Sequence, residues 1–330
     1  MGRCSTEPDL TAPGLYRMYG YIARRLFATI PVMGVVAVVV FMLLHLTPGD
    51  PAAVIAGDYA RPEDIAKIRA KLGLDQPLYV QFFTWISAVL QGDLGTSIFS
   101  NLPVSKLISQ RIEPTLALSI STIIFAVSVA VPMGVLAAWR AGTWVDRSVM
   151  IFAVLGFSVP VFVIAYALMY VFSLELGWFP VQGYKSISEG LGPFIQSITL
   201  PTVALGIVYT ALIARITRAS VLEILTEDYI RTAKAKGLSN TGLLVQHAVR
   251  NAAVPIVTII GIGIALLIGG VVVTESVFNI PGLGRLTIDA VLRRDYPIIQ
   301  GIILVFSAVY VVVNLIIDLL YTVLDPRIRY

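Results

Sequence analysis

Hydrolysis, metal binding and covalent catalysis each need carboxylates, imidazoles, thiols or hydroxyls at set spacings, and this sequence offers few such groups. Its one cysteine, Cys4, excludes an internal disulfide and any cysteine cluster for zinc or iron–sulfur. The two histidines, His45 and His247, stand far apart, which argues against a histidine-rich metal site. The carboxylates Asp50, Asp58, Asp93, Glu175 and Glu275 have no partner at the spacing of a hydrolytic or metal site. There is no H-E-x-x-H, no G-x-S-x-G and no G-x-x-x-x-G-K-[ST]. No catalytic or metal-ligating residue is predicted, and this chain does not hold ATP by a phosphate-binding loop.

The segment that does ask for an explanation is basic. "DYIRTAKAKGLSNTG", residues 228–242, lies between two apolar runs. Thr226 or Asp228 suits the cap of a helix running through Tyr229 and Ile230 to Lys236. Gly237 then ends it, and a second helix is expected from about Leu243 to His247 and Arg250. Tyr229 and Ala233 share one side, four residues apart, and Ala233 and Ala235 keep that surface shallow, as a protein partner needs. Lysines that merely set membrane orientation would account for the charge, but not for a helix–glycine–helix with small residues at its centre.

The elements that position this segment follow from composition. Of 330 residues, 57% are hydrophobic and 13% charged, against about 25% charged in a soluble domain. Mean hydropathy is +0.84. Six runs lack Asp, Glu, Lys and Arg: Leu26–Gly49, Pro114–Trp139, Ser148–Leu174, Gly190–Ala214, Asn251–Thr274 and Tyr296–Ile317. Each is long enough to span a bilayer, which excludes an ordinary soluble protein. With the N-terminus inside, the inner segments hold 14 Lys or Arg and seven Asp or Glu, and the outer ones 10 and 12. That is the positive-inside pattern, and a net charge of +4 then needs no nucleic acid to explain it. "YIARRLFATIPVMGVVAVVVFMLLH" (21–45) is too long for a signal-peptide core and is expected to be a retained first helix, with Pro31 in its first turns. Asp318 is expected to snorkel or make a helix contact. Gly261, Gly263, Gly269 and Gly270 are expected to form one thin face of the fifth span.

Outside the membrane, residues 50–113 form the longest segment. Pro62, Glu63 and Asp64 start a surface helix with Ile65, Ile68 and Leu72 on its apolar face, and Gly73 stops it. "LYVQFFTWISAVLQGDLG" suits the membrane interface. In "ESVFNIPGLGRLTIDAVLRRDYP", Pro281, Gly282 and Gly284 permit a tight turn before a short helix reaching Arg294.

The basic segment resembles the cytoplasmic EAA loop of ABC-importer permeases. Gly237 stands at that motif's glycine and Ala233 at its second alanine, while Arg231 and Thr232 replace its Glu and first Ala. The form D-Y-x-R-T-A-x-A-K-G-L is that of peptide-type permeases. "LTPGDPA" (46–52), "LGLDQPLYVQF" (72–82), "GDLGTS" (92–97), "ESVFNIPGLGRL" (275–286), "AVLRRDYPIIQG" (290–301) and "LDPRIR" (324–329) extend the resemblance to the first permease subunit of the dipeptide/oligopeptide/nickel importers. It implies an all-α polytopic membrane protein with six transmembrane helices in the type I ABC-importer permease fold. Residues 1–20 would be a cytoplasmic tail and 21–330 the permease domain, with an extracytoplasmic segment 50–113 and a cytoplasmic coupling loop 217–250.

The resemblance further implies a homologous second permease subunit, two cytoplasmic ATPases and an extracytoplasmic solute-binding protein, at a bacterial cytoplasmic membrane with both termini inside. No cofactor is expected on this chain; ATP and Mg belong to the ATPases. Asp228, Tyr229, Arg231, Ala233, Lys236 and Gly237 would couple to an ATPase. Ser158, Pro160, Gly261, Gly263 and Gly269 would border the translocation path, and Asp50, Asp93, Arg285 and Arg293 would dock the binding protein. Peptides, nickel chelates and glutathione all remain open as cargo. An ion-coupled secondary transporter complete in one chain, or a membrane-embedded enzyme or assembly factor, are the readings of other classes. A secondary transporter would more comfortably show inverted repeats and midplane charges.

Overall fold

A backbone inside lipid must satisfy its own hydrogen bonds, and an apolar chain such as this one does so as helices. The computed structural model describes residues 13–46, 51–56, 61–71 and 73–324. The helices in chain order are α1 (Pro13–Leu46), α2 (Pro51–Ala56), α3 (Pro62–Lys71), α4 (Leu78–Leu90), α5 (Val104–Ser109) and α6 (Ile112–Trp139). They continue with α7 (Trp144–Ser158), α8 (Val161–Leu168, prolonged by a π-helical stretch Met169–Glu175), α9 (Leu191–Leu225), α10 (Asp228–Ala235) and α11 (Asn240–Gly242, prolonged by π-helical Leu243–Val249). The last three are α12 (Ala253–Val277), α13 (Leu283–Arg293) and α14 (Tyr296–Leu324).

Among the described residues four helical stretches are long and apolar enough to cross a membrane: Val104–Trp139, Leu191–Leu225, Ala253–Val277 and Tyr296–Tyr321. The pair Trp144–Ser158 and Val161–Glu175 would make a fifth, bent by 103°. The expected first span falls on α1, whose apolar stretch Phe27–Leu43 is shorter. Two expectations need correcting. The third run is not one rod, because Pro160 has no amide to donate and drives Val159 to φ −85°, ψ 125°. α1 starts at Pro13 rather than near residue 21, so Pro31 lies inside the helix and not in its first turns.

α9 is the centre. Its apolar window is 72% buried within the chain, against 28% for α6 and for α12 and 17% for α14. Oil-like side chains gain little from each other inside oil, so close packing has to hold such helices together. Small residues allow it: a Cβ on Gly134 of α6 would lie 2.7 Å from the Ala214 carbonyl of α9 and 2.6 Å from the Thr217 side chain. Ala126, Ala130, Ala204 and Ala214 fill the same core with Leu205 and Ile213.

Each end of the bundle has its own cluster. At one end α5, α13 and α14 meet through Val104, Leu107, Leu283, Leu286, Ile298 and Ile302. There Phe41 of α1 stacks edge-on to Phe82 of α4 at 5.3 Å. At the other end Ala138, Val221, Ala248, Ala252 and Ile256 tie α6, α9, the α11 region and α12 together. The expected short helix from Pro62, its stop at Gly73 (φ +67°) and the aromatic helix at Leu78 are all present.

Candidate functional site

The α10 segment sits directly below the buried end of α9. Ile230, 5% exposed, anchors it, while Tyr229, Arg231, Lys234 and Lys236 are exposed and Ala233 is half-buried. Glu227 takes the cap position, in extended conformation and without a side-chain hydrogen bond. The expected cap is thus corrected: the Thr226 hydroxyl donates backwards to the Glu223 carbonyl (2.7 Å), and Asp228 accepts from Arg231 (3.2 Å). Gly237 has φ +86°, the left-handed region that a side chain disfavours. A Cβ there would meet nothing within 4 Å, so within this chain the glycine is needed for conformation alone. Ser239 restarts the helix by accepting from the Gly242 amide at 3.2 Å, and Leu243 and Ala248 bury the return segment. His247 lies in that segment with no metal-ligand cluster among the described residues. One further bond closes the element: Asn251 donates its side-chain amide to the Tyr229 hydroxyl at 2.9 Å. The coupling helix is therefore connected to the start of α12 as well as to the end of α9.

At the same end, Asp146 in the first turn of α7 is 4% exposed. It receives both the Nε and the Nη2 of Arg218 on α9, the latter at 2.7 Å, and the Gly142 amide at 2.9 Å. A fork-to-fork pair of this kind fixes orientation as well as distance. Sequence reasoning counted both residues only as topological charge.

The candidate path residues separate into two groups. Ser158 and Pro160 are exposed at the α7–α8 bend, and Gly269 is exposed beside Ile262, Leu266 and Val273 on α12. Gly261 and Gly263 are buried: a Cβ would face Ile317 of α14 at the first and Tyr209 of α9 at the second. Gly270 also faces α9, through Leu205 and Tyr209. The glycines do not form one thin face. Residues 261 and 263 point to different neighbours because two residues turn a helix by roughly 200°.

At the opposite end the four docking candidates also diverge. Asp50 lies outside the described residues. Asp93 accepts from the Gly95 amide (2.9 Å) and shapes a local turn. Arg285 is tied by its side chain to Asn279, whereas Arg293 is exposed. Glu275, which had no expected partner, is fully buried; Thr115 donates to it at 2.5 Å and the Arg285 amide at 2.9 Å. Asp295, 2% exposed, accepts from the Ser97 hydroxyl at 2.6 Å and the Ile98 amide at 3.3 Å. The loop at 177–190 is strapped on by the Tyr184 hydroxyl, donating to Glu113 at 2.9 Å. Burial first, and the Glu113 carboxylate second, push that phenol above its ordinary range, so it remains a donor. Asp318 faces Arg25, an ion pair between α14 and α1 and so a helix contact.

A long buried helix, a short exposed helix and a left-handed glycine, followed by a return into the bundle, form a lever with a handle. Residues 130–330 match the family described as binding-protein-dependent transport system inner membrane component, and residues 18–119 match its N-terminal companion. The chain belongs to this family. It is 56% identical over 310 residues, 94% of its length, to the probable peptide ABC transporter permease protein y4tP of Sinorhizobium fredii, of which 99% is covered. It is 46% identical to the glutathione transport system permease protein GsiC of Salmonella paratyphi A, over 95% of this chain and 100% of that protein. In fold it is similar to a chain of the MetNI methionine ABC transporter in an inward-facing conformation. That similarity has a TM-score of 0.55 at 17% identity and covers 66% of this chain and 96% of that one. This inner membrane component is helical throughout its described spans, as its family likeness implies, and its family is one of transport rather than of catalysis.

Proposed function

We propose that this chain is one of two homologous permease subunits of an ATP-driven importer, passing short peptides delivered by an extracytoplasmic solute-binding protein. ATP and Mg act on two separate ATPase subunits. The observation that carries the reading is α10: an exposed helix, rooted by Ile230 and by the Tyr229–Asn251 bond, ends at a left-handed Gly237. Asp228, Tyr229, Arg231, Ala233, Lys236 and Gly237 then form the surface that enters an ATPase groove. A push on this surface reaches α9 and α12 together. The α10 end is inside, with both termini, and the α13 end is outside. Ser158, Pro160 and Gly269 border the path; Gly261 and Gly263 support it from within the bundle. The printed function of the Sinorhizobium relative supports peptides, and that of the Salmonella relative supports glutathione, itself a small peptide, as a second cargo.

The test is co-purification. The tagged chain should recover a second permease and two ATPases. Gly237→Val or Ala233→Asp should then lower ATPase recovery, or uncouple hydrolysis from uptake, while membrane abundance stays within about twofold, because the exposed helix adds little to the core. Lys234→Gln should do far less, since one exposed charge is worth about 1 kcal/mol at most. Normal transport and normal complex recovery in both Gly237→Val and Ala233→Asp would sink the assignment.

A further inference from the structure

A pocket of about 220 Å³ opens at the α13 end, between α13 and the irregular chain around residues 97–100. Its charged lining is Arg111, Asp289 and Arg293, with Ser97 and Ser100 beside them. Asp289 and Arg293 are four residues apart on α13, a spacing at which acid and base ordinarily pair. Yet among the described residues no ion pair or hydrogen bond engages the side chain of Arg111, Asp289 or Arg293. The other acid in the lining, Asp295, is already satisfied by Ser97 and Ile98. Those bonds and the apolar cluster of Leu107, Leu286, Ala290 and Ile298 hold the walls in place. Such a site is preorganised, so filling it costs little ordering of its own backbone.

The free charges sum to positive, two guanidinium groups against one carboxylate, and guanidinium recognises carboxylate with two parallel bonds. Phe99, 48% exposed, lines the mouth. Arginine beside an exposed aromatic is the composition of a protein–protein anchor point. Size decides between a partner's side chain and a free solute, because pockets for small molecules usually exceed about 300 Å³. We propose that this pocket receives an acidic side chain of the solute-binding protein, clasped between Arg111 and Arg293, with Asp289 rejecting a misplaced second acid. The inference rests on the importer reading and on this end being outside.

The experiment uses the whole transporter, permease pair and ATPases, in lipid nanodiscs, with the solute-binding protein from the same genome as the probe. Arg111→Gln with Arg293→Gln should weaken its binding about tenfold or more and flatten the salt dependence, since charged contacts set both. Lys106→Gln removes an equal charge from an exposed helix outside the pocket and should change binding less than about twofold. Arg293 is exposed, so Arg293→Gln alone, expected to weaken binding about threefold or more, keeps the test open if the Arg111 change hinders assembly. Unchanged binding by every arginine variant overturns the proposal. So does unchanged binding with a raised KM for uptake, which would assign the pocket to the solute; either result leaves the importer reading standing. A wild-type complex whose ATPase does not respond to any binding protein would overturn both.

Discussion

A carboxylate with no exposed surface has to find its hydrogen-bond donors inside the protein, and Glu275 finds the Thr115 hydroxyl and the Arg285 amide. The Pro281–Gly282–Leu283–Gly284 turn folds over it. A Cβ at Gly282 would lie 2.0 Å from a Glu275 oxygen, and one at Gly284 would lie 2.6 Å from the Val272 backbone. Gly282→Ala should therefore cost about 2 kcal/mol or more, by overpacking and by displacing a buried charged acceptor. Gly192 in α9 is the comparison, because a Cβ there meets nothing within 4 Å. Gly192→Ala should be neutral or stabilise by up to about 1 kcal/mol. Thermal unfolding of both variants in the same detergent checks this, and equal melting temperatures would count against the clasp. The turn itself was legible from its Pro and Gly residues. Its cause was not, since the group that excludes a Cβ comes from another helix.

The elements that matter for transport are those that link the α10 end to the rest. Asp146 and Arg218 join α7 to α9, and the 103° bend at Val159–Pro160 passes whatever α7 does to α8. Asp146→Ala leaves a guanidinium only 23% exposed without its partner, a loss that should cost about 3 kcal/mol. Exchanging the two charges, Asp146→Arg with Arg218→Asp, should recover part of that loss, and a double-mutant cycle on abundance and melting temperature measures it. No coupling in the cycle would reduce the pair to a coincidence of packing. The two groups of path candidates give a second contrast. Gly269→Trp should leave abundance unchanged and slow uptake at least about threefold by crowding a lined passage. Gly263→Trp has to displace Tyr209 and should lower abundance itself. Immunoblots beside uptake rates separate these effects; a normal uptake rate in Gly269→Trp would remove α12 from the path.

On the scale of the whole molecule, the proposed orientation is open to direct labelling. With Cys4 replaced, single cysteines at 238–242 should react only after the membrane is permeabilised, and those at 182–188 should react in intact cells. Labelling of both sets from outside would refute the arrangement. The charge asymmetry behind this expectation, like the apolar runs, is a one-dimensional property, because a bilayer responds to local hydropathy and to charge near span ends. For that reason the sequence alone determined a helical membrane protein, the starts of α3, α4 and α13, the left-handed break at Gly237 and the family. It also carried the set of residues on α10, whose spacing follows from helix geometry. What it did not determine is which charges are buried against which. Glu275 and Thr115 are 160 residues apart, Asp295 and Ser97 198, and Asp146 and Arg218 72. Such pairs, the bend at Pro160 and the division of the α12 glycines between α9, α14 and open surface were decided only by tertiary structure. Helix periodicity says which residues share a face, but only packing says what that face meets.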